Sequence, residues 1–480
     1  MYDLIVIGDD LSSHIAAAVA SRQKIKTVLL TESGLGETCT IGGFVFNLDS
    51  TPLAGFSENQ ICHSVLTKLG ILPIEEQGDL LNPAYQIILP EHRLDFFNDK
   101  DLLIQEMTRE FPQLSGVINS FYNAVVKNSD IVGKWFQDHP FIQPKSIKDY
   151  FEFLKLIPRL IKYKFYNTKF RWICSGNASF RKVMEAQQAL LSFFLKDQDS
   201  IFSHFRYSAP LRGIYSFLQG KQTLLNSLIN EITSSQGLYI NNCEISSIKK
   251  DKLIEVNFTN DNGDTTKISA DNLIVSTKWE KINLLFERKN QITLDDLIRP
   301  VKVSHHPFTI HLGIRQNSVP EKMVRHVAVI TDVNKDIYDD NLIILELSSP
   351  DDEKNTSSGK CSLSATVFLH DDPMIWSNEN LTATARSIVE RLEFFLPFLK
   401  ENIEVFDIKE SINISRKQRN IINPRYQLRN SFITGFSAKS NKTKFSNIFL
   451  TGASLLMDAG FDGEIISGVN AANCVAGKKK

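Results

Sequence analysis

The first residues that could do chemistry form a turn between an apolar run and an alanine-rich stretch. Residues 4–7 have the pattern of a strand buried in a parallel sheet, and Gly8 ends that run. A helix that starts directly after such a strand presents free backbone N–H groups to an anion. The turn is therefore a candidate site for the phosphates of a dinucleotide. Its candidate contact residues are Gly8, Asp10, Leu11, Ser12 and Ser13.

The dinucleotide pattern G-x-G-x-x-G expects glycine where Gly8, Asp10 and Ser13 stand, so only Gly8 matches. Ser13 is small and costs little at the place where helix and strand pack closely. Asp10 would repel a phosphate charge by about 4 kcal/mol at ~4 Å and an effective dielectric constant of about 20. Alternatively, the Asp10 carboxylate itself accepts the free N–H groups of the helix and closes the site.

Glu32 stands at the end of the next apolar run, residues 27–30. An acidic residue roughly 20 positions after the glycine turn binds the ribose hydroxyls in dinucleotide folds. The position predicts a ribose-binding role for Glu32, and a solvated glutamate at a strand end is the alternative.

A second glycine-rich stretch lies near the C-terminus, where Gly452 follows a strand-like run and a glycine-spaced loop leads into a helix. This stretch resembles the second flavin-binding motif of the phytoene desaturase and amine oxidase group of FAD-dependent oxidoreductases. That motif has an aspartate where Ala453 stands. The resemblance implies that these residues bind FAD: Gly452, Ala453, Gly460, Gly463, Glu464 and Ile465.

Further segments are similar to the same group in the same order, from residue 2 to residue 475. Residues 41–49, with Gly42 and Gly43, are similar to its G-F-x-F-D-x-G stretch, but Asp49 stands where glycine is usual. Residues 219–224 are similar to its G-G-M-x-x-L helix start. Ile245 lies in the segment that resembles the strand whose backbone touches adenine. The departures at positions 10, 49 and 453 all fall where the group approaches FAD.

The resemblance and the order of the patterns predict an α/β fold with a Rossmann-like domain for FAD or NAD(P), assembled from discontinuous segments. We assign residues 1–60, 205–290 and 435–480 to this dinucleotide domain. Residues 61–204 and 291–434 are expected to form a mixed-sheet and helical substrate domain, in which the polar residues 348–362 form a mobile loop.

The function implied by the resemblance is hydride transfer between FAD and an apolar substrate such as a polyene or isoprenoid. The departures predict that FAD is held weakly or has been lost. The sequence indicates no catalytic acid or base. The departures favour a rival, a flavin-free binding protein for a lipidic or prenylated partner. The Rab GDP-dissociation inhibitors share this architecture and bind prenylated partners. An NAD-only dehydrogenase is a weaker alternative, because its pyrophosphate would also meet Asp10.

The composition of the chain excludes or disfavours several other classes of protein function. The 480 residues suit two or three lobes, and a formal net charge of −1 disfavours a general nucleic-acid binder. The six cysteines are dispersed and the histidines lack ligand spacing, so no disulfide scaffold or metal site is expected. No signal peptide or membrane-spanning run is recognisable. These features predict a cytoplasmic protein.

One stretch, residues 145–172, interleaves basic and aromatic residues. Such a pattern on helices suits an anionic membrane surface, which would place the protein peripherally at the inner face of a membrane. A pair of substrate-domain helices with lysines that extend to solvent is the equally weighted alternative.

Overall fold

The structure is a computed structural model. It describes the chain except for residues 33–37, 72–77, 139–150, 152–153, 156–157, 159–169, 171–174, 196–201, 218, 280–300, 349–358, 420–421, 429–439 and 478–480.

The helices are α1 (Leu11–Arg22), α2 (Ile61–Leu69), α3 (Lys100–Glu110), α4 (Ser115–Asp138), α5 (Ala178–Leu191), α6 (Phe202–Tyr207), α7 (Lys221–Ser234), α8 (Asn378–Leu392), α9 (Leu399–Asn402), α10 (Ile408–Lys417) and α11 (Gly460–Ala476). The strands are β1 (Tyr2–Ile7), β2 (Thr27–Leu30), β3 (Thr38–Ile41), β4 (Phe44–Asn47), β5 (Leu53–Ala54), β6 (Gly78–Leu80), β7 (Tyr85–Leu89), β8 (His92–Phe96), β9 (Ile214–Phe217), β10 (Leu238–Ile240), β11 (Glu244–Lys250), β12 (Ile254–Thr259), β13 (Thr265–Ser276), β14 (Val301–Arg315), β15 (His326–Ile330), β16 (Leu342–Leu347), β17 (Lys360–His370), β18 (Ile403–Val405), β19 (Arg425–Leu428) and β20 (Ile448–Thr451).

The first sheet has the order β10-β2-β1-β13-β12-β11, and β20 also pairs with β13. Strands β10, β2, β1, β13 and β20 are mutually parallel, whereas β12 and β11 add on antiparallel. The apolar run in β1 is central, and its residues 4–7 are fully buried. Burial of each such side chain stabilises the fold by about 1.5–3 kcal/mol. The sheet joins segments that are far apart in sequence, as the α/β fold class predicts.

Helices α1 and α11 pack against each other beside this sheet, and a glycine permits their close approach. A Cβ on Gly468 would lie 2.5 Å from the carbonyl oxygen of Ser12 and 2.8 Å from the Ile15 side chain. The two helices start after β1 and after the segment that follows β20. Their N-termini therefore belong to the carboxyl edge of the parallel strands, where open α/β sheets bind ligands.

The second sheet is mixed and forms the frame of the other lobe. Its order is β18-β14-β17-β16-β15-β7-β8, with β19 also paired to β14, and only β15 with β7 is a parallel pair among these. Apolar residues of α8 and α10 cover one face, and those of α3, α4 and α5 cover the other.

Some predicted element bounds need correction. Strand β17 begins at Lys360, so the last residues of the predicted loop 348–362 belong to a strand, and residues 349–358 lie outside the described part. The apolar pattern of residues 381–399 suggests a helix up to Pro397, but α8 ends at Leu392. The proline ring clashes with the carbonyl four residues earlier, at Glu393, so the helix must stop before it.

Candidate functional site

The turn between β1 and α1 is built as the sequence predicts, with Gly8 at its start. Gly8 has φ +151°, and a Cβ there would lie 2.5 Å from the Ser276 Cβ and would also collide with the Ser13 hydroxyl. Only glycine allows the end of β13 to lie this close to the turn. The turn therefore brings together Ser13, in the first turn of α1, and Ser276, at the end of β13.

Asp10 fills the point between them. It is the N-cap of α1, and its Oδ1 accepts a hydrogen bond from the Ser13 backbone N–H at 3.3 Å and from the Ser13 hydroxyl at 2.5 Å. Its Oδ2 accepts from the hydroxyls of Ser12 and Ser276, both at 2.9 Å. The side chain is buried, at 4% exposure. The carboxylate is thus the anion that this helix N-terminus holds.

Glu32 and Ile245, which the sequence assigns to the ribose and adenine ends, meet directly. The Ile245 backbone N–H donates to Glu32 Oε1 at 2.8 Å, and the indole N–H of Trp279 donates to Oε2 at 2.7 Å. Glu32 is therefore not a solvated strand end, because both of its oxygens accept hydrogen bonds from the protein. Trp279 was missed in the sequence, where nothing links it to Glu32.

The glycines of the C-terminal motif serve close contacts within the chain. A Cβ on Gly452 would collide with the Thr277 hydroxyl, one on Gly460 with the Leu191 carbonyl, and one on Gly463 with the Leu456 carbonyl. Ala453 is fully buried and packs with Phe193 and Met457.

Two buried ion pairs hold the start of α11. Asp458, just before the helix, pairs with Arg206, and Asp462 in its first turn pairs with Arg212 at 2.8 Å. All four side chains are at most 5% exposed. The N-terminus of α11 is consequently fixed to α6 and to the turn that follows it.

Gly42 and Gly43 form the turn of the β3–β4 hairpin, with φ values of +57° and +85°. Left-handed backbone at both central residues is typical of a tight hairpin turn, and glycine adopts it without strain. A Cβ on Gly42 would meet the Val405 side chain of β18 at 2.6 Å, whereas nothing lies within 4 Å of one on Gly43. The observed contact of Gly42 is thus with the second sheet.

Asp49 pairs with a buried lysine that the sequence reading missed. Lys221 Nζ lies 2.5 Å from Asp49 Oδ2 and 3.9 Å from Glu464 Oε2. Asn423 donates to the same Glu464 oxygen at 3.3 Å. Burial alone would raise the pKa of Asp49, but Lys221 and Thr51 together hold that pKa well below its ordinary value. The available signal was Lys221 itself, which replaces the methionine of the G-G-M pattern.

A small cavity of about 10 Å³ lies between this group and the second sheet. That volume corresponds to about one water molecule. Its lining is mixed, and includes Asp49, Leu190, Thr309, Ile344, Thr366, Phe368, Asn423 and Arg425. The Arg425 side chain is buried and donates to the Ala189 carbonyl at 2.7 Å. The lining therefore combines the Arg425 guanidinium and the Asp49 carboxylate with apolar, amide and hydroxyl-bearing side chains.

Most of the predicted membrane stretch, residues 145–172, lies outside the described residues. Of those described, Phe151 and Leu154 are exposed, whereas Phe170 is buried and stacks on Phe121 with 3.7 Å between ring centroids. Among the described helices, none has the length and apolar character that crossing a bilayer requires.

The backbone of this site fits FAD, but the side chains of Asp10 and Trp279 occupy positions that FAD would need. The glycine turn, the Glu32 position and the start of α11 stand at the carboxyl edge of the sheet. However, the N-terminus of α1, which would bind the pyrophosphate, is capped by Asp10. Glu32, which would bind the ribose, accepts hydrogen bonds from the Trp279 indole and the Ile245 backbone. Dinucleotide binding thus requires these side chains to move.

Comparison with known proteins bears on the fold. No family model matches the chain, and no curated protein matches its sequence. Among solved structures, a putrescine oxidase variant from a redesign of cofactor binding is similar, with TM-score 0.61, 12% identity and 99% of both chains covered. The chain has the fold of this amine oxidase. Cyclohexylamine oxidase from Brevibacterium oxydans is similar over 100% of this chain and 99% of its own, with TM-score 0.58 and 12% identity.

The same fold also occurs outside enzymes. A Rab GDI from Plasmodium falciparum matches with TM-score 0.54 and 10% identity, over 99% of this chain and 98% of its own. At such identities the similarity shows the fold, and the function must be argued from the site.

Proposed function

We propose that this chain is an FAD-dependent oxidoreductase that binds FAD weakly. The observation that supports this function is the convergence of the dinucleotide elements. The Gly8 turn, Glu32 and the segment that leads to α11 follow parallel strands at their carboxyl edge, and the Ile245 backbone at the start of β11 contacts Glu32 there. Weak binding follows because Asp10 occupies the anion position and Glu32 is already hydrogen-bonded.

The proposed substrate is an apolar molecule such as a polyene or isoprenoid, and the proposed reaction is hydride transfer. The cavity beside Asp49 supports this substrate, because Leu190, Ile344 and Phe368 would contact its apolar body. A substrate larger than a water molecule requires the cavity to widen. We also propose that the protein is cytoplasmic and that residues 145–172 attach it to an anionic membrane.

The proposed activity is tested by anaerobic flavin reduction. Protein loaded with excess FAD is mixed with apolar amines, polyenes and isoprenoids, and the visible absorbance of protein-bound flavin is followed. We expect at least one class to bleach the bound flavin faster than free FAD. Bound flavin that no member of the three classes reduces would contradict the proposed substrate, and the absence of bound flavin would contradict the enzyme.

A flavin-free binding protein is the second candidate, and the hydrogen bonds of Asp10 favour it. Four donors satisfy the carboxylate inside the site, so the fold is complete without a cofactor. Its proposed partner is lipidic or prenylated. If the second candidate holds, the protein remains free of flavin at excess FAD and binds prenylated peptide in the same titration.

A further inference from the structure

The short segment 276–279, which begins with the last residue of β13, contacts three parts of the dinucleotide site at once. Ser276 donates to Asp10 at 2.9 Å, and Trp279 donates to Glu32 at 2.7 Å. Thr277 accepts a hydrogen bond from the Ser454 hydroxyl at 2.7 Å and covers Gly452. We call residues 276–279 the strap.

The strap is an ordered, buried element. Ser276 is 1% exposed, and Trp279 is 6% exposed and belongs to the same buried apolar cluster as Ile245 and Leu455. The strap forms a turn with internal hydrogen bonds. The Lys278 N–H donates to the Ser276 hydroxyl at 3.1 Å, and the Trp279 N–H donates to the Ser276 carbonyl at 3.2 Å. Two of its side chains thus bind the two carboxylates that mark the pyrophosphate and ribose positions.

We propose that the strap is an autoinhibitory element, in which the Trp279 indole competes with the adenosine half of a dinucleotide for Glu32. This inference rests on the proposed function, since it names the regulation of the same site. A ribose hydroxyl and the indole N–H would donate to the same carboxylate oxygen. The dinucleotide therefore binds only when Trp279 has released Glu32, and the cost of that release lowers the affinity.

The test uses ADP, which carries the adenosine and the diphosphate without the flavin ring. Trp279→Phe keeps an aromatic ring in place and removes the N–H donor. We expect this variant to bind ADP roughly ten- to hundredfold more tightly than the parent in calorimetric titration, since a hydrogen bond to a charged acceptor has about that weight. Trp376→Phe is the matched control, because Trp376 is also 6% exposed and donates its indole N–H to the His370 carbonyl. We expect no change in the control.

A second measurement uses the parent protein, in case Trp279→Phe does not fold. ADP should expose the Trp279 indole, so quenching of tryptophan fluorescence by acrylamide should rise with ADP. Unchanged quenching at saturating ADP would overturn the autoinhibitory role of the strap. An ADP affinity of Trp279→Phe within twofold of that of the parent would overturn it as well. Weak FAD binding by the parent would then still support the enzyme. Conversely, tight ADP binding by Trp279→Phe without any FAD binding by the parent would support autoinhibition by the strap and contradict the proposed FAD-dependent activity.

Discussion

Replacement of Asp10 by asparagine separates the charge at the anion position from the shape of the side chain. In Asp10→Asn the amide oxygen can still accept from the Ser13 N–H and hydroxyl, which are the partners of Oδ1. The amide nitrogen replaces Oδ2 and can donate to the hydroxyl oxygens of Ser12 and Ser276. The packing of the turn is therefore retained, while the negative charge is lost.

Two effects of opposite sign follow from this exchange. In the variant the two contacts of Oδ2 become neutral hydrogen bonds in which the amide nitrogen donates. Each is weaker by roughly 1 kcal/mol than a bond to the charged Oδ2, so the free energy of unfolding should fall by about 2 kcal/mol. The affinity for FAD should rise, because a repulsion of up to about 4 kcal/mol between Asp10 and a phosphate disappears. That repulsion sets a ceiling of roughly a thousandfold, and we expect at least tenfold.

The assay is a flavin fluorescence titration together with urea unfolding of the same samples. Asp407→Asn is the control, because Asp407 is also an N-cap and accepts from the Glu410 N–H at 2.9 Å, on α10 of the other lobe. The control should lose stability without gaining FAD affinity. Equal FAD affinity of Asp10→Asn and the parent would refute the reasoning, since Asp10 would then not stand where the pyrophosphate binds.

Three further predictions concern other parts of the chain. Arg212→Met should lower the free energy of unfolding by about 3–5 kcal/mol in urea, because it leaves the carboxyl group of Asp462 buried without its charge partner. Arg391→Met should cost much less, since its partner Asp340 is 60% exposed. The lowered pKa of Asp49 contributes stability that is present above its unfolded pKa of about 3.9 and is lost as the pH falls toward its folded pKa. Below about pH 4 the free energy of unfolding should therefore fall less steeply with decreasing pH in Asp49→Asn than in the parent. Equal slopes of the free energy of unfolding against pH would contradict this assignment. Co-sedimentation with anionic liposomes should decrease with salt and when Lys155, Arg159, Lys162 and Lys164 are all changed to glutamine, and unchanged binding would identify these residues as a solvated face.

The sequence predicts the strand–turn–helix elements around the candidate dinucleotide site, because local patterns specify those elements. The buried run before Gly8, the position of Glu32 and the strand before Gly452 each depend on neighbouring residues in the chain. The structure then shows Glu32 next to Ile245, as their assignment to one end of a dinucleotide implies.

What the sequence does not predict is which side chains from distant segments enter the site. Trp279 and Lys221 reach Glu32 and Asp49 from far along the chain, and no spacing rule links such pairs. For Asp10 the sequence leaves two alternatives, repulsion of a phosphate or capping of the helix. In the structure the Asp10 carboxylate caps the helix. The sequence alone could not decide this, because one of the donors to Asp10 is Ser276, far along the chain at the end of β13.

The most direct test of the central claim, a dinucleotide site that is present but closed by its own side chains, is equilibrium dialysis of the unmodified protein against FAD. We predict saturable binding of one FAD with half-saturation at roughly micromolar concentration or above, and loss of the flavin during gel filtration. Flavin that copurifies and stays bound through dialysis would contradict the closed site. No saturable binding at millimolar FAD would contradict the presence of the site.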